Sequence, residues 1–381
     1  MRILLVNKAY YPHLGGVETV VRQLAEGMQK RGHEVKILCF GNRDITEVID
    51  NVEVRRTRPM MYIGSAPIGF RFATEFHKLT KWADVISFHS PNPMGELAFT
   101  LSPLIRGKKI VCTYHGDAQR PKILLPVYDF IMRRYFQRCD VIIVSNPPLS
   151  VNSRLLKEGI FKDKTRIIPY GIRAEKYSVH QARDIEEARR LLASLPPASF
   201  KVMYAGRMVY YKGVEVLLEA LRTIKTKMHP ISAFLVGSGP EESNIRSFII
   251  NNSLENDVLI LPHQPEHVYR ALFSLADCFA LPSTYQTEAF GIVLAEAMAS
   301  ELPIISTELG TGTSWVNING ETGIVVPPGD SKALAEAIVH LSIHDDERKA
   351  MAAESLARAK SSFNEEAMLE AYCKIFFHKE L

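Results

Sequence analysis

The fold class is decided by residues 3–40, which read ILLVNKAYYPHLGGVETVVRQLAEGMQKRGHEVKILCF. The short apolar run at 3–6 predicts a buried strand, and a glycine-containing loop follows it. A helical pattern then runs over 17–31 and stops at Gly32, a residue that favours a helix C-terminus. The apolar run at 35–40 predicts a second strand. Strand, loop, helix and strand make one βαβ unit, so we expect a parallel sheet.

The same alternation continues along the chain and restarts once. Further strands are predicted at 85–88, 110–114, 141–144 and 166–168 and, after the restart, at 201–205, 233–236, 258–261, 278–281, 303–306 and 323–326. Helices lie between them, most clearly at 291–299 and 332–341. This alternation predicts parallel sheets covered by helices on both faces. The charged stretch 170–199 contains Pro196-Pro197 and marks the boundary between two domains.

Length and composition limit the class of protein. A chain of 381 residues, with 46% hydrophobic and 23% charged residues, predicts two globular domains with a core in each. The net charge of +4 is too small to indicate nucleic-acid binding, but it suits an anionic ligand or an anionic membrane surface. No apolar run reaches the ~18 residues of a membrane span. Five scattered cysteines and the absence of a signal-peptide pattern predict a cytoplasmic protein with reduced core thiols.

The residues with recognisable chemistry fall in loops that follow predicted strands. In open α/β sheets, ligands bind beyond the carboxyl ends of strands and at helix N-termini. The first such loop contains Gly15 and Gly16, which open the first helix and would let a phosphate approach the backbone. A simple tight turn is the alternative. The loop lacks the GxGxxG pattern, which counts against a dinucleotide-dependent oxidoreductase.

The second loop follows the strand at 201–205 and reads GRMVYYKG over 206–213. Its cations, Arg207 and Lys212, flank a turn that enters a helix. Two cations beside a helix N-terminus can neutralise the diphosphate of a leaving group. The alternative is a pair of solvated surface charges.

The third motif, EAFGIVLAE over 288–296, places two carboxylates around a helix start. Glu288 precedes the helix, Glu296 lies one to two turns inside it, and the first backbone amides, of residues 290–292, point to the same place. We expect Glu288 to hold a sugar hydroxyl, the amides to hold phosphate and Glu296 to hold a ribose. Most helical glutamates are solvated, but Glu296 has apolar neighbours, and a buried carboxylate requires a partner.

Together, the motifs resemble those of the family-4 retaining glycosyltransferases, which have the GT-B fold. The resemblance rests on the order of six segments: GGVE at 15–18, IPYGI at 168–172, GRMVYYKG at 206–213, VGSGP at 236–240, EAFGIVLAE at 288–296 and NGETGIV at 319–325. It implies an α/β fold of two Rossmann-like domains whose parallel sheets face each other across a cleft that holds the active site. The implied N-terminal, acceptor-side domain spans 1–172, with a C-terminal helix at 366–381 crossing back to it. The implied nucleotide-sugar-binding domain spans 173–365.

The resemblance also implies roles for individual residues. His115, in TYHGD at 113–117, matches a histidine that contacts the transferred sugar near the reacting carbon; without the resemblance, a core or capping histidine would be the better interpretation. Asp117 is either a second site residue or a turn residue. The predicted catalytic residues are His115, Arg207, Lys212 and Glu288. The predicted donor-binding residues are Gly15, Gly16, Arg207, Lys212, Gln264, Glu288, Ala289, Phe290, Gly291, Ile292 and Glu296, with the nucleotide base near His263 and Gln264.

The implied reaction moves a sugar from a nucleoside diphosphate sugar to a glycan or lipid-linked acceptor in the assembly of a surface polysaccharide such as lipopolysaccharide. GDP-mannose is the favoured donor. The nucleotide departs from an oxocarbenium-like centre, the acceptor enters on the same face, and the departing phosphate takes its proton. No carboxylate is placed as a covalent nucleophile, unlike in retaining glycosidases.

We expect neither a metal nor a cofactor, because no DxD motif follows a predicted strand. Two other functions stay open. One is a UDP-sugar-dependent transferase that makes a small soluble glycoside. The other is a non-catalytic protein that binds sugar nucleotides.

Two segments of the first half combine cations with apolar and aromatic residues. The first spans 55–72 and includes RRTR, MMYI and IGFRF, and the second is YDFIMRRYF at 128–136. Such segments suit a surface of anionic lipids. We therefore expect a cytoplasmic enzyme that makes peripheral contact with the inner face of the membrane. The alternative is ordinary core with a basic rim.

Overall fold

The computed structural model describes residues 1–13, 15–64, 66–118, 122–226 and 230–377. The chain forms two compact units. Unit 1 comprises Met1–Gly171 and Glu365–Leu381, and unit 2 comprises Ile172–Asn364. The boundaries predicted from the sequence, after residues 172 and 365, each lie one residue later than those in the structure. The acceptor-side and donor-binding roles of the two domains stay predictions.

The elements alternate between strands and helices in both units. Unit 1 contains β1 (Arg2–Val6), α1 (Gly16–Lys30), β2 (Glu34–Phe40), β3 (Ile45–Ile49), β4 (Val52–Thr57), β5 (Met61–Ile63), β6 (Ala66–Ile68), α2 (Phe70–Trp82), β7 (Val85–Ser90), α3 (Pro93–Leu101), β8 (Lys109–Tyr114), α4 (Leu125–Arg138), β9 (Val141–Val144), α5 (Pro147–Asn152) and β10 (Thr165–Ile167). Unit 2 contains α6 (Glu175–Ser178), α7 (Ala182–Leu191), β11 (Phe200–Ala205), α8 (Val214–Thr226), β12 (Ile231–Val236), α9 (Glu242–Asn251), β13 (Val258–Leu261), α10 (Glu266–Phe273), β14 (Cys278–Leu281), α11 (Ile292–Ala299), β15 (Ile304–Thr307), α12 (Thr313–Val316), β16 (Gly323–Val326), α13 (Ser331–Ile343) and α14 (Asp345–Ser362). The last helix, α15 (Glu365–Phe377), belongs to unit 1.

Unit 1 is built on a sheet with the strand order β10-β9-β8-β7-β1-β2-β4-β3. Its strands run parallel except β3, which pairs antiparallel with β4. These two strands are joined by Asp50 and Asn51, whose φ values of 50° and 64° are those that a two-residue hairpin turn requires. The sequence analysis did not predict this hairpin, although the alternating ITEVI pattern before the turn is typical of a strand. It also did not predict the short antiparallel pair β5–β6.

The core of unit 1 is rich in aromatic side chains. The rings of Phe88 and Phe99 lie 5.3 Å apart, and both contact the ring of Tyr135 on α4. Met132 and Phe136 on the same helix are also completely buried. The segment 128–136 was expected to face lipid, but half of it faces this core. The helical spacing that suggested a lipid surface therefore arises in part from ordinary core packing.

Helix α15 completes unit 1 by packing against α1. The helices approach closely at Gly27, where an added Cβ atom would lie 2.5 Å from the Leu369 side chain. Arg31 and Glu366 form an ion pair across the same contact. The helix starts one residue before the predicted start at 366, and residues 378–381 of the predicted helix lie outside the described part of the chain.

Unit 2 is built on a sheet with the order β13-β12-β11-β14-β15-β16, and all of its strand pairs are parallel. Each strand is short and largely buried, because helices cover the sheet. The predicted α/β class with two parallel-sheet units is confirmed. The order of the strands reverses between β11 and β14, which places the carboxyl ends of these two strands side by side.

Candidate active site

The two motif loops of unit 2 follow β11 and β14, at the point where the strand order reverses. Open α/β sheets bind ligands in the crevice at such a point. The loops are fastened to each other, because the Thr284 amide donates to the Tyr211 carbonyl oxygen at 2.8 Å. Gly213 has a φ of 67°, and a Cβ atom there would lie 1.9 Å from the Pro282 carbonyl oxygen. Only glycine fits at this crossing.

The loop after β12 supports the loop after β11. The amide of Met208 donates to the carbonyl oxygen of Ser238 at 2.9 Å. A Cβ atom on Gly239 would lie 2.2 Å from the Met208 carbonyl oxygen, so the two backbones are in direct contact. The VGSGP segment therefore fixes the backbone on both sides of Arg207.

Lys212 and Glu288 form an ion pair across the two motif loops. The Ser283 hydroxyl also donates to the Glu288 carboxylate, at 3.2 Å. The Lys212 and Glu288 side chains are only 13% and 10% exposed. The alternative of a solvated surface charge is therefore wrong for Lys212, which is nearly buried as the counter-ion of Glu288.

Arg207 lies in the same loop as Lys212 but is exposed. Within the described residues, its guanidinium takes part in no hydrogen bond and no ion pair, while its carbonyl oxygen accepts from the Tyr204 hydroxyl at 3.1 Å. Lys212 and Glu288 neutralise each other. The charge of Arg207 is therefore the one this loop presents to an anionic ligand.

Helix α11 begins at Ile292, four residues after Glu288, and adds backbone donors to the same loop. Its N-cap, Gly291, has a φ of 75°, a conformation that favours glycine. The first amides of a helix have no acceptor within it, and the helix N-terminus carries partial positive charge. Phe290 is buried against the rings of Phe363 and Trp315, at 5.6 and 6.3 Å, and this contact fixes the start of the helix.

Glu296, inside α11, is held by two tyrosines. The Tyr269 hydroxyl donates to its carboxylate at 2.8 Å, and the Tyr177 hydroxyl is a second donor. Burial raises the pKa of the Glu296 carboxyl, and the two hydroxyls partly offset this effect. Glu296 is partly buried, and the protein itself supplies the hydrogen-bond donors that its carboxylate requires. The predicted contact of Glu296 with a ribose stays a prediction.

Gln264 follows β13, as expected. Its side-chain amide donates to the Pro262 carbonyl oxygen at 2.9 Å, so the side chain folds back on its own loop. The carbonyl oxygen of Ala289 accepts from the Gly312 amide at 2.8 Å. The donor-binding roles of Gln264 and Ala289 stay predictions.

In unit 1, the ring of His115 lies in a chain of buried polar groups. His115 follows β8, and its Nε2 lies 3.0 Å from Nδ1 of His89 at the end of β7. Its Nδ1 is hydrogen-bonded to the Tyr170 hydroxyl, which in turn contacts Ser145. Burial lowers the pKa of His115 to about 3 and holds the pKa of His89 well below its usual range. Both rings are therefore neutral.

Both ring nitrogens of His115 are engaged by protein groups. A contact between this ring and a sugar would require one of these hydrogen bonds to break, so the role of His115 stays a prediction. The sequence analysis did not single out His89, Tyr170 or Ser145. Histidines at or after the ends of two predicted strands, at 89 and 115, were the available signal for the pair.

Asp117, for which a site role and a turn role stayed open, is engaged by three donors. They are the Tyr114 hydroxyl at 2.6 Å, the Ser153 hydroxyl at 3.0 Å and the Arg154 amide at 2.8 Å. These bonds tie the loop after β8 to the end of α5. The structure therefore favours the turn role.

Gly15 and Gly16 lie at the start of α1, as expected. Gly15 is extended, with a φ of −174°, and a Cβ atom there would lie 2.3 Å from the Glu18 carboxylate. A carboxylate of the protein thus lies beside the place where a phosphate was expected. The donor-binding role of the two glycines stays a prediction.

Comparison of the sequence with known proteins identifies its family. Residues 14–176 match the model described as Glycosyltransferase Family 4, and residues 193–358 match the model described as Glycosyl transferases group 1. The chain is 31% identical to O-antigen chain mannosyltransferase C of Escherichia coli, over 99% of this chain and 98% of that protein. The chain belongs to the family-4 glycosyltransferases.

This glycosyltransferase is also 32% identical to the D-rhamnosyltransferase WbpZ of Pseudomonas aeruginosa, over 95% of this chain and 92% of that protein. The crystal structure of HepE from Anabaena in complex with UDP matches it with a TM-score of 0.80 at 20% identity, over 98% of this chain and 99% of that one. The resemblance, the GT-B fold and the enzyme class predicted from the sequence are confirmed.

The geometry shows what unit 2 contributes to a glycosyltransferase. The exposed Arg207 and the amides at the start of α11 offer positive charge to a diphosphate. The Lys212–Glu288 pair places a carboxylate oriented by a cation in the same loops, where it can accept hydrogen bonds from hydroxyl groups. Among the described residues, no group of three or more His, Cys, Asp or Glu side chains could hold a metal ion. The predicted metal independence stays a prediction.

Proposed function

We propose that the enzyme transfers a mannosyl group from GDP-mannose, with retention of anomeric configuration, to a glycan or lipid-linked acceptor in surface polysaccharide assembly. The observation that carries this proposal is the assembly of Arg207, the Lys212–Glu288 pair and the start of α11 at the carboxyl ends of β11 and β14. The O-antigen mannosyltransferase, aligned over nearly the whole chain, supports mannose as the sugar.

In the proposed reaction, the bond between the anomeric carbon and the phosphate oxygen breaks, and a bond to the acceptor oxygen forms on the same face. The acceptor proton passes to the departing phosphate. Arg207 and the backbone amides at the start of α11 stabilise the charge that develops on the diphosphate. Glu288 holds a hydroxyl of the transferred sugar, and Lys212 orients this carboxylate through their ion pair.

The donor is tested by a panel of nucleotides and nucleotide sugars in thermal-shift measurements, because a ligand that binds the folded state raises its stability. We expect GDP and GDP-mannose to give the largest shifts in melting temperature. In a second measurement, NMR of the product should show an α linkage from the α-configured donor. Activity should persist in a chelator. A larger shift with UDP or a UDP-sugar would show that the donor is a UDP-sugar and not GDP-mannose. A product with inverted anomeric configuration would overturn the retaining mechanism.

The acceptor is proposed to lie at an anionic membrane. No helix of the described residues is both long and apolar enough to cross a bilayer. Unit 1 nevertheless exposes large apolar side chains on elements that flank α3, which packs against β6, α2 and α4. This exposed apolar surface comprises Met60, Met61, Tyr62, Phe70, Ile123, Val127 and Phe130, each more than half exposed. Exposed apolar side chains that gather into one patch are typical of an interaction site.

The charges originally assigned to the lipid surface are mostly engaged within the protein. Arg55 pairs with Glu53 and Glu75, Arg56 with Glu47, and Arg133 with Glu158. Arg134 instead lies over the ring of Phe130, 4.6 Å from its centroid. The proposed lipid contact therefore rests on the exposed apolar surface with Arg134 beside it, and not on Arg133.

Co-sedimentation with vesicles tests the membrane contact. We expect the protein to bind vesicles with anionic lipid more strongly than neutral ones, and Val127→Ser with Phe130→Ser to weaken this binding. Ile250→Ser, at a similarly exposed apolar residue of unit 2, is the matched control. Failure to bind either vesicle would favour the soluble acceptor. Equal weakening by both changes would remove the exposed apolar surface from the proposal.

A further inference from the structure

Three tyrosines cluster beside the Lys212–Glu288 pair. The ring centroid of Tyr210 lies 5.5 Å from that of Tyr211 and 5.4 Å from that of Tyr285. Tyr210 and Tyr285 are 49% and 53% exposed, in contrast to the nearly buried ion pair next to them in sequence and space. Two large aromatic side chains that are this exposed and that contact each other in an active-site loop suit an interaction with a ligand.

Hydrogen bonds fix the backbone that carries the exposed rings. Tyr210 and Tyr211 belong to the loop after β11, and Tyr285 to the loop after β14. The Tyr211 carbonyl oxygen accepts from the Thr284 amide at 2.8 Å, and the Tyr285 carbonyl oxygen accepts from the Glu288 amide at 3.1 Å. The backbone of the loop that carries Tyr285 is thereby hydrogen-bonded both at Tyr285 itself and at the preceding residue, Thr284.

We propose that Tyr210 and Tyr285 form a binding subsite for a hexopyranose ring of the acceptor glycan. The planes of the two rings meet at 72°, so they make a corner with two apolar walls. A pyranose ring has an apolar C–H face and a rim of hydroxyls, and tyrosine has an apolar ring face and a polar hydroxyl. The proposal rests on the proposed function, since it assigns the acceptor of that same reaction.

The contrast in exposure favours the acceptor over the donor. The groups that suit the charged donor are Arg207, the amides at the start of α11 and the carboxylate of Glu288. The tyrosine corner carries no charge, and it is several times more exposed than the Lys212–Glu288 pair. It therefore suits a neutral sugar that arrives from solvent after the donor is bound.

The first experiment measures sugar binding without any donor. Saturation-transfer NMR with mannobiose, chitobiose and galactobiose should detect binding of at least one disaccharide to the wild-type protein. Tyr210→Ala and Tyr285→Ala should each weaken that binding about tenfold, whereas Tyr210→Phe and Tyr285→Phe should retain it within about threefold, since the ring faces remain. Ile250→Ala, which removes an equally exposed apolar side chain from unit 2, should have no effect.

The second experiment separates the subsite from the donor site. With a synthetic octyl mannobioside as acceptor, the alanine variants should raise the KM for the acceptor, while the rate of donor hydrolysis without acceptor should stay unchanged. The subsite is overturned if no disaccharide binds, or if the alanine variants bind as the wild type does. It is also overturned if they slow donor hydrolysis. If GDP-mannose proves not to be the donor but the disaccharide still binds, only the proposed donor is overturned and the subsite stands.

Discussion

The strand-end regions of the two units are alike in topology and opposite in electrostatics. In unit 1, the groups at the ends of β7 and β8 are His89 and His115, two buried and neutral rings joined by a hydrogen bond. In unit 2, the loops after β11 and β14 carry a nearly buried ion pair and an exposed arginine. The same βα architecture thus presents a neutral polar network in one unit and fixed charges in the other.

This difference indicates where charge is needed. A protein keeps ionised groups at low exposure only where a partner compensates their desolvation, as Lys212 and Glu288 do for each other. The histidines avoid that cost by staying neutral. The proposed function accordingly assigns to unit 2 the stabilisation of the charge that develops on a leaving diphosphate. The neutral network of unit 1 suits positioning through hydrogen bonds.

The largest effect is expected for Lys212→Ala. It removes the counter-ion of Glu288, so turnover should fall by 10²-fold or more and the free energy of unfolding by about 3 kcal/mol. Turnover and urea unfolding measure the two effects. The double variant Lys212→Met with Glu288→Gln should regain stability, since no unpaired charge remains, but it should not regain turnover. If the Lys212→Ala protein were as stable as the wild type, the Lys212–Glu288 pair would not contribute to the stability of unit 2.

Arg207→Ala should lower turnover by about 10²-fold and leave stability within about 0.5 kcal/mol, because the side chain is exposed and lies outside the core. The control is Arg246→Ala, at another exposed arginine of unit 2 that pairs with Glu242 on α9. Near-normal turnover of a well-folded Arg207→Ala protein would exclude this residue from the site and remove the distinction between the charged and neutral units.

The two glutamates of the EAFGIVLAE motif should separate rate from affinity. Glu288→Gln should lower the rate of transfer, whereas Glu296→Gln should weaken binding of the bare nucleoside diphosphate by about tenfold. Calorimetric titration measures the affinity, and Tyr269→Phe controls for the loss of one hydrogen bond to Glu296. A larger loss of affinity in Glu288→Gln than in Glu296→Gln would reverse the assigned roles.

The last comparison concerns how the stability of unit 1 depends on pH. The histidine pKa values are lowered on folding, so the unfolded state binds more protons, and stability should fall as the pH drops from 6.5 toward 3. Each histidine contributes up to about 1.4 kcal/mol per pH unit. His89→Asn removes one of the two titrating histidines, so it should make the dependence of the unfolding free energy on pH less steep. Tyr170→Phe, which removes a hydrogen bond but no histidine, should not.

The two tryptophans allow this slope to be assigned to unit 1. Trp82 lies on α2 in unit 1, and Trp315 lies on α12 in unit 2. In a Trp315→Phe background, fluorescence therefore reports unfolding of unit 1. If His89→Asn leaves the slope of that transition unchanged, the histidines are not buried and neutral in the folded state.

The sequence by itself determined the alternation of strands and helices, the loops that carry chemistry and the family. These features are local, since apolar periodicity and glycine positions depend on residues close together in the chain. The hairpin β3–β4 was within reach of the same reasoning, because its turn residues and alternating pattern are also local.

Tertiary structure alone decided which distant residues meet. Lys212 pairs with Glu288 because β11 and β14 are neighbours in the sheet, and Tyr177 and Tyr269 reach Glu296 because α6 and α10 both pack near α11. His89 meets His115 because β7 and β8 pair. Strand order and helix packing depend on how buried surfaces fit together across the whole unit, and no local pattern records that fit.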